Sequence, residues 1–263
     1  MKLEVREREE LPTTTELKEG ILLVNKPQGR TSFSLISQVR RLTGIKKVGH
    51  AGTLDPFATG VMVLLLGRDY TKLSDSLLLA DKEYVATLHL GVTTDTFDCD
   101  GKVTASSKKR PSMAQVERVV TQFQGELEQI PPMYAAKKVK GVPLYKLARE
   151  GRSIERKPCK IRVETQIIHY DYPNLELLIA CSKGTYIRSL AHDMGEELGC
   201  GAHLTQLQRT RSGQYSLERC IDGALLFLHD FDITPHLQTY NPTSCYPHST
   251  SRAVISAVPK LRD

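Results

Sequence analysis

The chain has 263 residues, of which 40% are hydrophobic and 25% are charged, a composition typical of a globular protein with one sizeable core. No stretch approaches the roughly 18 apolar residues of a membrane helix, and the charged N-terminus lacks the apolar segment of a signal peptide, so we expect a cytoplasmic protein. The six cysteines form no CxxC pair and no zinc-ligand spacing, which argues against a structural metal site and against disulfides.

Basic residues are concentrated in the middle of the chain. Residues 1–20 carry a net charge of −2 and residues 221–263 carry −1, so residues 21–220 carry +9 against a total of +6. Residues 137–160 alone hold nine basic and two acidic side chains. Such clustering fits a polyanionic partner, because each neutralised phosphate releases counterions. A solvated basic face would give the same pattern, so charge alone leaves both interpretations open.

The first half of the chain predicts buried strands around one helix and one loop. Short apolar runs and one alternating segment indicate the strands, and an apolar stripe at helical spacing indicates the helix. In chain order we predict a strand at 21–24, a helix at 31–43, a loop at 46–60, and strands at 61–66 and 83–90. Thr31 or Ser32 can cap the helix, and Gly44 can end it.

The second half of the chain predicts two further helices and a strand pair. In chain order these are a helix at 112–124, strands at 161–170 and 174–182 joined by a turn, and a helix at 187–198. Ser112 and Gln115 have capping-box spacing. Strands and helices do not alternate regularly, so the prediction is an α+β fold with a mixed or mainly antiparallel sheet. Residues 235–263 show little periodicity and predict a weakly structured tail.

The densest motif is GHAGTLDPFATG at residues 49–60. Its three glycines and one proline predict a tight, irregular loop between a basic stretch and a buried strand. The loop presents one carboxylate, Asp55, and one imidazole, His50, and such rigidly held loops often carry catalytic groups. The alternative is that Asp55-Pro56 merely opens a turn, and spacing alone favours that alternative.

This motif and several others resemble the TruB family of tRNA pseudouridine synthases, and they occur in the family's order. The resemblance covers about residues 20–220, and several motifs in the same order are far more specific than one. They comprise residues 24–32, 49–62, 82–86, 129–152, 181–188 and 201–213. Two departures stand out: Asn25 lies where Asp is usual, and residues 135–137 read Ala-Ala-Lys instead of a Ser-Ala-apolar pattern.

The resemblance implies a role for six residues. Asp55 matches the catalytic aspartate, and Arg188 matches the arginine that pairs with it. Tyr84 matches a tyrosine that stacks on the target base and is proposed to move a proton. Tyr186 and Leu207 match residues that line the uracil pocket. His50 matches a histidine that fills the gap left by the flipped nucleotide. From pattern alone, Tyr84, Tyr186 and Leu207 would be ordinary core residues, and Arg188 a phosphate contact or surface ion pair.

The resemblance also implies how the chain is divided and where it holds RNA. We expect a charged extension at 1–20, a catalytic domain at 21–220 with an RNA-gripping insertion at about 125–160, and a short tail at 221–263 without a full PUA domain. Phosphate contacts would come from basic side chains, and the candidates are Lys26, Lys137, Lys138, Lys140, Lys146, Arg149 and Arg152.

The expected activity is isomerisation of one T-loop uridine of tRNA, position 55 of the RNA, to pseudouridine. The expected protein is a monomer that binds the tRNA T stem-loop and uses no cofactor and no metal. Two alternatives remain: an RNA-binding or tRNA-folding protein of the same fold without required catalysis, and a hydrolase that uses Asp55 as nucleophile. Because the motif offers only one acidic residue, and glycoside hydrolysis usually needs two, the motif weakly favours isomerisation.

Overall fold

A mixed β-sheet forms the centre of the molecule. The computed structural model describes residues 19–135, 137–139 and 141–241, and within them the main sheet has 11 strands and two further sheets have 2 each. The strands are β1 (Gly20–Lys26), β2 (Val48–His50), β3 (Thr59–Leu66), β4 (Lys82–Leu90), β5 (Val92–Thr94), β6 (Val103–Ser106), β7 (Gly125–Gln129), β8 (Lys138–Val139), β9 (Val142–Pro143), β10 (Cys159–Asp171), β11 (Asn174–Cys181), β12 (Ala202–Ser212), β13 (Tyr215–Ser216), β14 (Ile221–Asp222) and β15 (Leu237–Gln238). The helices are α1 (Ser32–Thr43), α2 (Arg68–Thr71), α3 (Ser74–Leu78), α4 (Met113–Gln122), α5 (Leu144–Arg149) and α6 (Ile187–Leu198).

The sheet order brings the later strand β12 between β3 and β4. The main path runs β14-β1-β3-β12-β4-β11-β10-β7, with β13 on β12, β15 on β1 and β2 on β3. Neighbouring strands are antiparallel except at β1–β14 and β3–β12. The β4–β12 register places Tyr84 opposite Arg209 and Ala86 opposite Leu207. Directly paired residues share one face of a sheet, so Tyr84 and Arg209 point the same way.

The three long helices pack on the sheet with apolar stripes, as their sequences predict. Helix α1 is capped by the Thr31 side chain and ends at Gly44, whose φ of +73° is the left-handed conformation that glycine favours. Helix α4 has the predicted capping box of Ser112 and Gln115. Helix α6 ends at Gly199 with φ +68°. No helix of the described residues is long and apolar enough to cross a membrane.

The α+β prediction is confirmed, and one central strand was missed. Strand β12 reads AHLTQLQRTRS, which lacks a simple apolar alternation. Its register shifts between Leu204 and Gln206 and again between Arg209 and Arg211, and each irregularity changes which residues face the core. A buried arginine at position 209 obscures the pattern further.

The predicted insertion begins too early. Strand β7 belongs to the main sheet, because Gln129 pairs with Cys159 of β10 and Gly125 pairs with Val163. The segment that leaves the sheet is therefore 130–158. Within it, helix α5 buries Leu144 and Leu147.

The predicted tail at 221–263 is also wrong where the structure describes it. Strands β14 and β15 both pair with β1, and Leu226, Ile233 and Leu237 are buried in the main core. Residues 221–241 are thus part of the domain. The other parts of the predicted extension and tail, residues 1–18 and 242–263, lie outside the described residues.

Candidate active site

The loop that carries Asp55 is held by hydrogen bonds from residues 26–32, which run from the end of β1 to the start of α1. Ser32 Oγ bonds both the carbonyl oxygen and the amide of Leu54, at 3.1 and 3.0 Å. The Gly29 amide donates to the Pro56 carbonyl at 2.8 Å, and Lys26 Nζ donates to the same oxygen at 3.1 Å. These bonds fix the backbone on both sides of Asp55, as expected of a scaffold for a catalytic group.

Asp55 forms a two-point ion pair with Arg188. The distance from Arg188 Nε to Asp55 Oδ2 is 2.9 Å, and that from Nη2 to Oδ1 is 3.3 Å. The arginine side chain is 6% exposed, whereas the aspartate side chain is 34% exposed. Arg188 therefore orients the carboxylate from the interior while leaving part of it open to the cavity.

Arg188 is also bound to a second carboxylate, which sequence reasoning missed. Asp98 Oδ2 lies 3.6 Å from Arg188 Nε, and its side chain is 7% exposed. Burial raises the pKa of Asp98, while hydrogen bonding from Thr96 and the charge of Arg188 act in the opposite direction. In the sequence, Asp98 is one of three aspartates between 95 and 100, so no pattern distinguishes it.

Both residues of the Asp55–Arg188 ion pair line a cavity of about 280 Å³. Its lining includes five of the six predicted substrate residues, namely Asp55, Tyr84, Tyr186, Arg188 and Leu207. Tyr84 is 9% exposed, and burial raises its pKa while the adjacent Arg209 guanidinium opposes that shift. Burial also raises the pKa of Tyr186. The cavity thus combines aromatic and apolar side chains with one carboxylate and several cations, which suits a planar ring beside a sugar.

His50, the sixth predicted residue, lies at the end of β2 and does not line the cavity. Burial lowers its pKa, and Arg209 acts in the same direction. Its Nδ1 atom is buried and has no hydrogen-bond partner among the described residues. This position fits stacking outside the pocket better than contact with the target base.

Two buried cations also line the cavity and were not singled out from the sequence. Arg209 is 1% exposed and Lys82 is 6% exposed. Both lie within motifs that resemble the TruB family, at 82–86 and 201–213, but the local pattern assigns neither a role, because their positions in the cavity depend on long-range strand pairing.

The predicted RNA-backbone residues fall into three groups. Lys26 was predicted wrongly: it is 0% exposed, and its Nζ donates to the carbonyls of Pro27, Arg30 and Pro56 at 2.7–3.1 Å, so the ammonium stabilises the loops and does not face a phosphate. Four candidates are exposed, namely Lys137, Lys146, Arg149 and Arg152. Lys140 and the side chain of Lys138 lie outside the described residues.

No group of three or more His, Cys, Asp or Glu side chains in the described part of the chain could hold a metal ion. The ionisable groups that line the cavity are the Asp55 carboxylate, two guanidinium groups, one ammonium group, one thiol and three phenols, which belong to Arg188, Arg209, Lys82, Cys181, Tyr84, Tyr134 and Tyr186.

The match to known protein families begins within α1 and continues through the site. Residues 40–187 match the family model described as "TruB family pseudouridylate synthase (N terminal domain)", and residues 188–230 match "tRNA pseudouridylate synthase B C-terminal domain". These matches define the class of the protein, the pseudouridylate synthases. Within that class, the chain belongs to the TruB family.

Similar proteins agree with this assignment. The chain is 60% identical to "tRNA pseudouridine synthase B" of Chlamydia abortus over 86% of this chain and 97% of that protein. It is 61% identical to the protein of the same name from Chlamydia pneumoniae over 85% of this chain and 95% of that one. A solved chain from "Crystal Structure of a Cbf5-Nop10-Gar1 Complex" superposes with a TM-score of 0.63 and 28% identity, over 81% of this chain and 54% of that chain. The present chain therefore spans about half the length of that solved chain.

Proposed function

We propose that this protein isomerises a uridine in the T-loop of tRNA, position 55 of the RNA, to pseudouridine. The observation that carries the proposal is the two-point Asp55–Arg188 pair at the base of a cavity also lined by Tyr84 and Tyr186. Membership of the TruB family and the names of the chlamydial relatives support tRNA as the substrate.

The proposed reaction breaks one bond and forms another within the same nucleotide. The bond from ribose C1′ to uracil N1 breaks, the base turns, C1′ bonds to C5, and the C5 proton passes to solvent while N1 gains a proton. Every heavy atom of the base is retained and no co-substrate is consumed. Asp55 either attacks C1′ or removes the C2′ proton to leave a glycal, and its partly exposed carboxylate suits both routes.

The base must leave the RNA stack to enter this cavity. Unstacking costs a few kcal/mol, and stacking on an aromatic side chain returns about 1–3 kcal/mol per base. Tyr84 lies on the face of β4 that points into the cavity and is the proposed stacking partner. We further propose that the protein acts on tRNA as a monomer and in the cytoplasm.

Tritium release tests this proposal. Unmodified tRNA labelled with tritium at uridine C5 is incubated with the protein, and tritium in water is counted. We expect wild type to release about one tritium per tRNA and Asp55→Asn or Asp55→Ala to release none above background. Asp230→Asn, at a side chain 90% exposed, is the matched control and should behave as wild type.

The same experiment separates the alternatives. Release of free uracil would identify a hydrolase. Tritium release by Asp55→Asn at the wild-type rate would remove the proposed catalytic group. No release by wild type, together with tight tRNA binding, would identify an RNA-binding protein of this fold.

A further inference from the structure

Within the part of the chain that the structure describes, Arg209 is a buried cation without a carboxylate partner. Its guanidinium donates to the carbonyl oxygens of Val61 at 2.7 Å, Gly52 at 3.2 Å and Thr53 at 3.5 Å, and one Nη atom contacts Met62 Sδ at 3.3 Å. None of these acceptors carries a formal charge, and Arg209 makes no ion pair among the described residues. Arg188, by contrast, is balanced by Asp55 and Asp98.

Lys82 adds a second cation to the same wall of the cavity. Its Nζ donates to the carbonyl oxygens of Leu78 and Ala80, at 2.7 and 2.5 Å. Burial lowers its pKa to about 8, and the charge of Arg209 contributes to the shift. Its chain neighbour Asp81 pairs with Arg162, 2.8 Å away. Among the described residues, no acidic side chain forms an ion pair with Lys82 or Arg209, so this wall of the cavity carries an unbalanced positive charge.

Such an arrangement is costly in the empty protein. A buried charge is tolerated when it is paired or when it meets an opposite charge during function. Carbonyl dipoles offset part of the cost, but they leave the net charge in place. Buried cations that line a cavity in this way are suited to stabilise an anion that appears only during the reaction.

The proposed reaction generates such an anion. When the C1′–N1 bond breaks, its electron pair stays on the base and spreads from N1 onto O2 and O4, whether Asp55 attacks C1′ or removes the C2′ proton. The charge is consumed when C5 bonds to C1′. We propose that Arg209, assisted by Lys82, stabilises the uracil anion between the breaking and the forming of its bond to the sugar.

Geometry supports Arg209 as the main contributor. It lies opposite Tyr84 in the β4–β12 register, and the Tyr84 hydroxyl lies beside its guanidinium, so a base stacked on Tyr84 would be adjacent to the positive charge. A guanidinium also presents several donors in one plane, whereas burial lowers the pKa of the Lys82 ammonium to about 8, so its charge is lost as the pH rises through that value.

This inference rests on the proposed function, and a leaving-group comparison tests it. Single-turnover rates are measured at saturating enzyme with tRNA that carries uridine or 5-fluorouridine at the target, and consumption of the target nucleoside is followed by digestion and mass spectrometry. Fluorine withdraws electrons, so the 5-fluorouracil anion needs less help from the protein. We expect Arg209→Gln to slow the uridine reaction about 100- to 1000-fold and the fluorouridine reaction at least about 10-fold less. Arg209→Lys, which keeps the charge, should lie between the two.

Arg211→Gln is the matched control, because it removes another arginine from strand β12. Unlike Arg209, Arg211 has an acidic partner, Glu83, 3.9 Å away. It should leave both rates within about 2-fold of wild type. Equal slowing of both substrates by Arg209→Gln would show that Arg209 only holds the catalytic loop and would overturn the inference. A loss of tRNA affinity with an unchanged saturating rate would mean a phosphate contact and would overturn it as well.

Two further measurements cover the cases in which Arg209→Gln does not fold or the proposed function is wrong. If Arg209→Gln fails to fold, as a melting scan would show, Lys82→Gln is put through the same two-substrate comparison, and equal slowing of both substrates again overturns the inference. Wild type is assayed in parallel for tritium release. Absence of release would reject the proposed function itself, whereas release without a leaving-group effect rejects only the role of Arg209.

Discussion

Among single residues, Arg188 is the point on which the site depends. Its guanidinium holds Asp55 at two points and also donates to the carbonyl oxygens of Thr96 at 3.1 Å and Tyr134 at 2.7 Å. Asp98 lies behind it, buried, and accepts hydrogen bonds from Thr96 Oγ1 and the Asp100 amide. A planar guanidinium with fixed partners on several sides has one orientation, so the direction of the Asp55 carboxylate depends on Asp98.

We predict that Asp98→Asn lowers the catalytic rate without weakening tRNA binding. The change keeps the side chain's shape but removes the negative charge that holds Arg188. The contact is an ion pair at 3.6 Å, and losing it is expected to cost about 1.4–2.7 kcal/mol, which corresponds to a rate reduction of about 10- to 100-fold. Single-turnover tritium release and tRNA affinity are the two measurements.

Asp100→Asn is the control for this prediction, because Asp100 is exposed in the same loop. It should leave the rate unchanged. A drop in tRNA affinity that accounts for the whole reduction in Asp98→Asn would contradict a positioning role.

At the scale of elements, the root of the 130–158 segment is bonded to the start of α6. The Gln129 side chain pairs with the Tyr186 backbone in both directions, accepting from its amide at 2.8 Å and donating to its carbonyl at 3.0 Å. Ser189 Oγ donates to the Ile130 carbonyl at 3.2 Å. The segment expected to grip RNA therefore leaves the sheet at Gln129, whose side chain also holds the backbone of Tyr186, two positions before Arg188.

We predict that Gln129→Ala destabilises the protein by about 1–3 kcal/mol, because the part-buried Tyr186 amide loses its acceptor and the Tyr186 carbonyl keeps only the bond from the Leu190 amide. The catalytic rate should fall with it. Gln129→Glu retains the acceptor for the Tyr186 amide but places a carboxylate oxygen against the Tyr186 carbonyl at a side chain that is 3% exposed, so its stability should also fall below that of wild type. Urea unfolding measures the stability of the three proteins, and single-turnover assays measure their catalytic rates. Equal stability of all three proteins would show that the Gln129 side chain contributes nothing.

Local sequence signals predicted the elements well and the long-range side-chain bonds poorly. Helices α1, α4 and α6 were predicted because caps, stripes and terminal glycines are encoded within a few residues. The loop around Asp55 was marked by its glycines and by the family resemblance. The hydrogen bonds of Gln129 and Arg188 join residues more than 50 positions apart, and no periodicity encodes them.

Lys26 shows the same limit from the opposite direction. A lysine in a basic chain was interpreted as a phosphate contact, but in the structure three carbonyl oxygens surround its ammonium. Burial lowers its pKa to about 8, with the charge of Asp55 acting against the shift. The choice between these interpretations depends on how the chain folds around the ammonium, because one of the three carbonyl oxygens belongs to Pro56, 30 positions away in the sequence.

At the scale of the whole molecule, the excess positive charge is expected to hold the RNA. Helix α5 buries Leu144 and Leu147 and exposes Lys146 and Arg149, so its basic face is open. Phosphate contacts would contribute affinity with little sequence information.

We predict that Lys146→Glu combined with Arg149→Glu flattens the salt dependence of tRNA binding. Each lysine or arginine that no longer binds a phosphate should lower the slope of log affinity against log salt by about 1. Arg118→Glu, on the exposed face of α4, is the control. Binding titrations between about 50 and 200 mM salt, the range over which this effect is typically large, measure the slope. A slope that the double change leaves untouched would place the RNA on another surface.

The last part of the described chain closes the sheet. Strands β14 and β15 cover the outer edge of β1, and Leu226 and Leu237 complete the core beneath it. An open edge strand offers unpaired backbone groups to other chains, so this cover also protects against aggregation.

We therefore predict that truncation after Cys220 yields a protein that aggregates or unfolds at about 37 °C. Removing these buried leucine and isoleucine side chains, at about 1.5–3 kcal/mol each, approaches the total stability of a typical domain. Truncation after Asn241 keeps all of these side chains and serves as the control. Melting temperature and light scattering of the two truncated proteins make the comparison. A stable, monodisperse protein ending at Cys220 would show that residues 221–241 only rest on a domain that is complete without them.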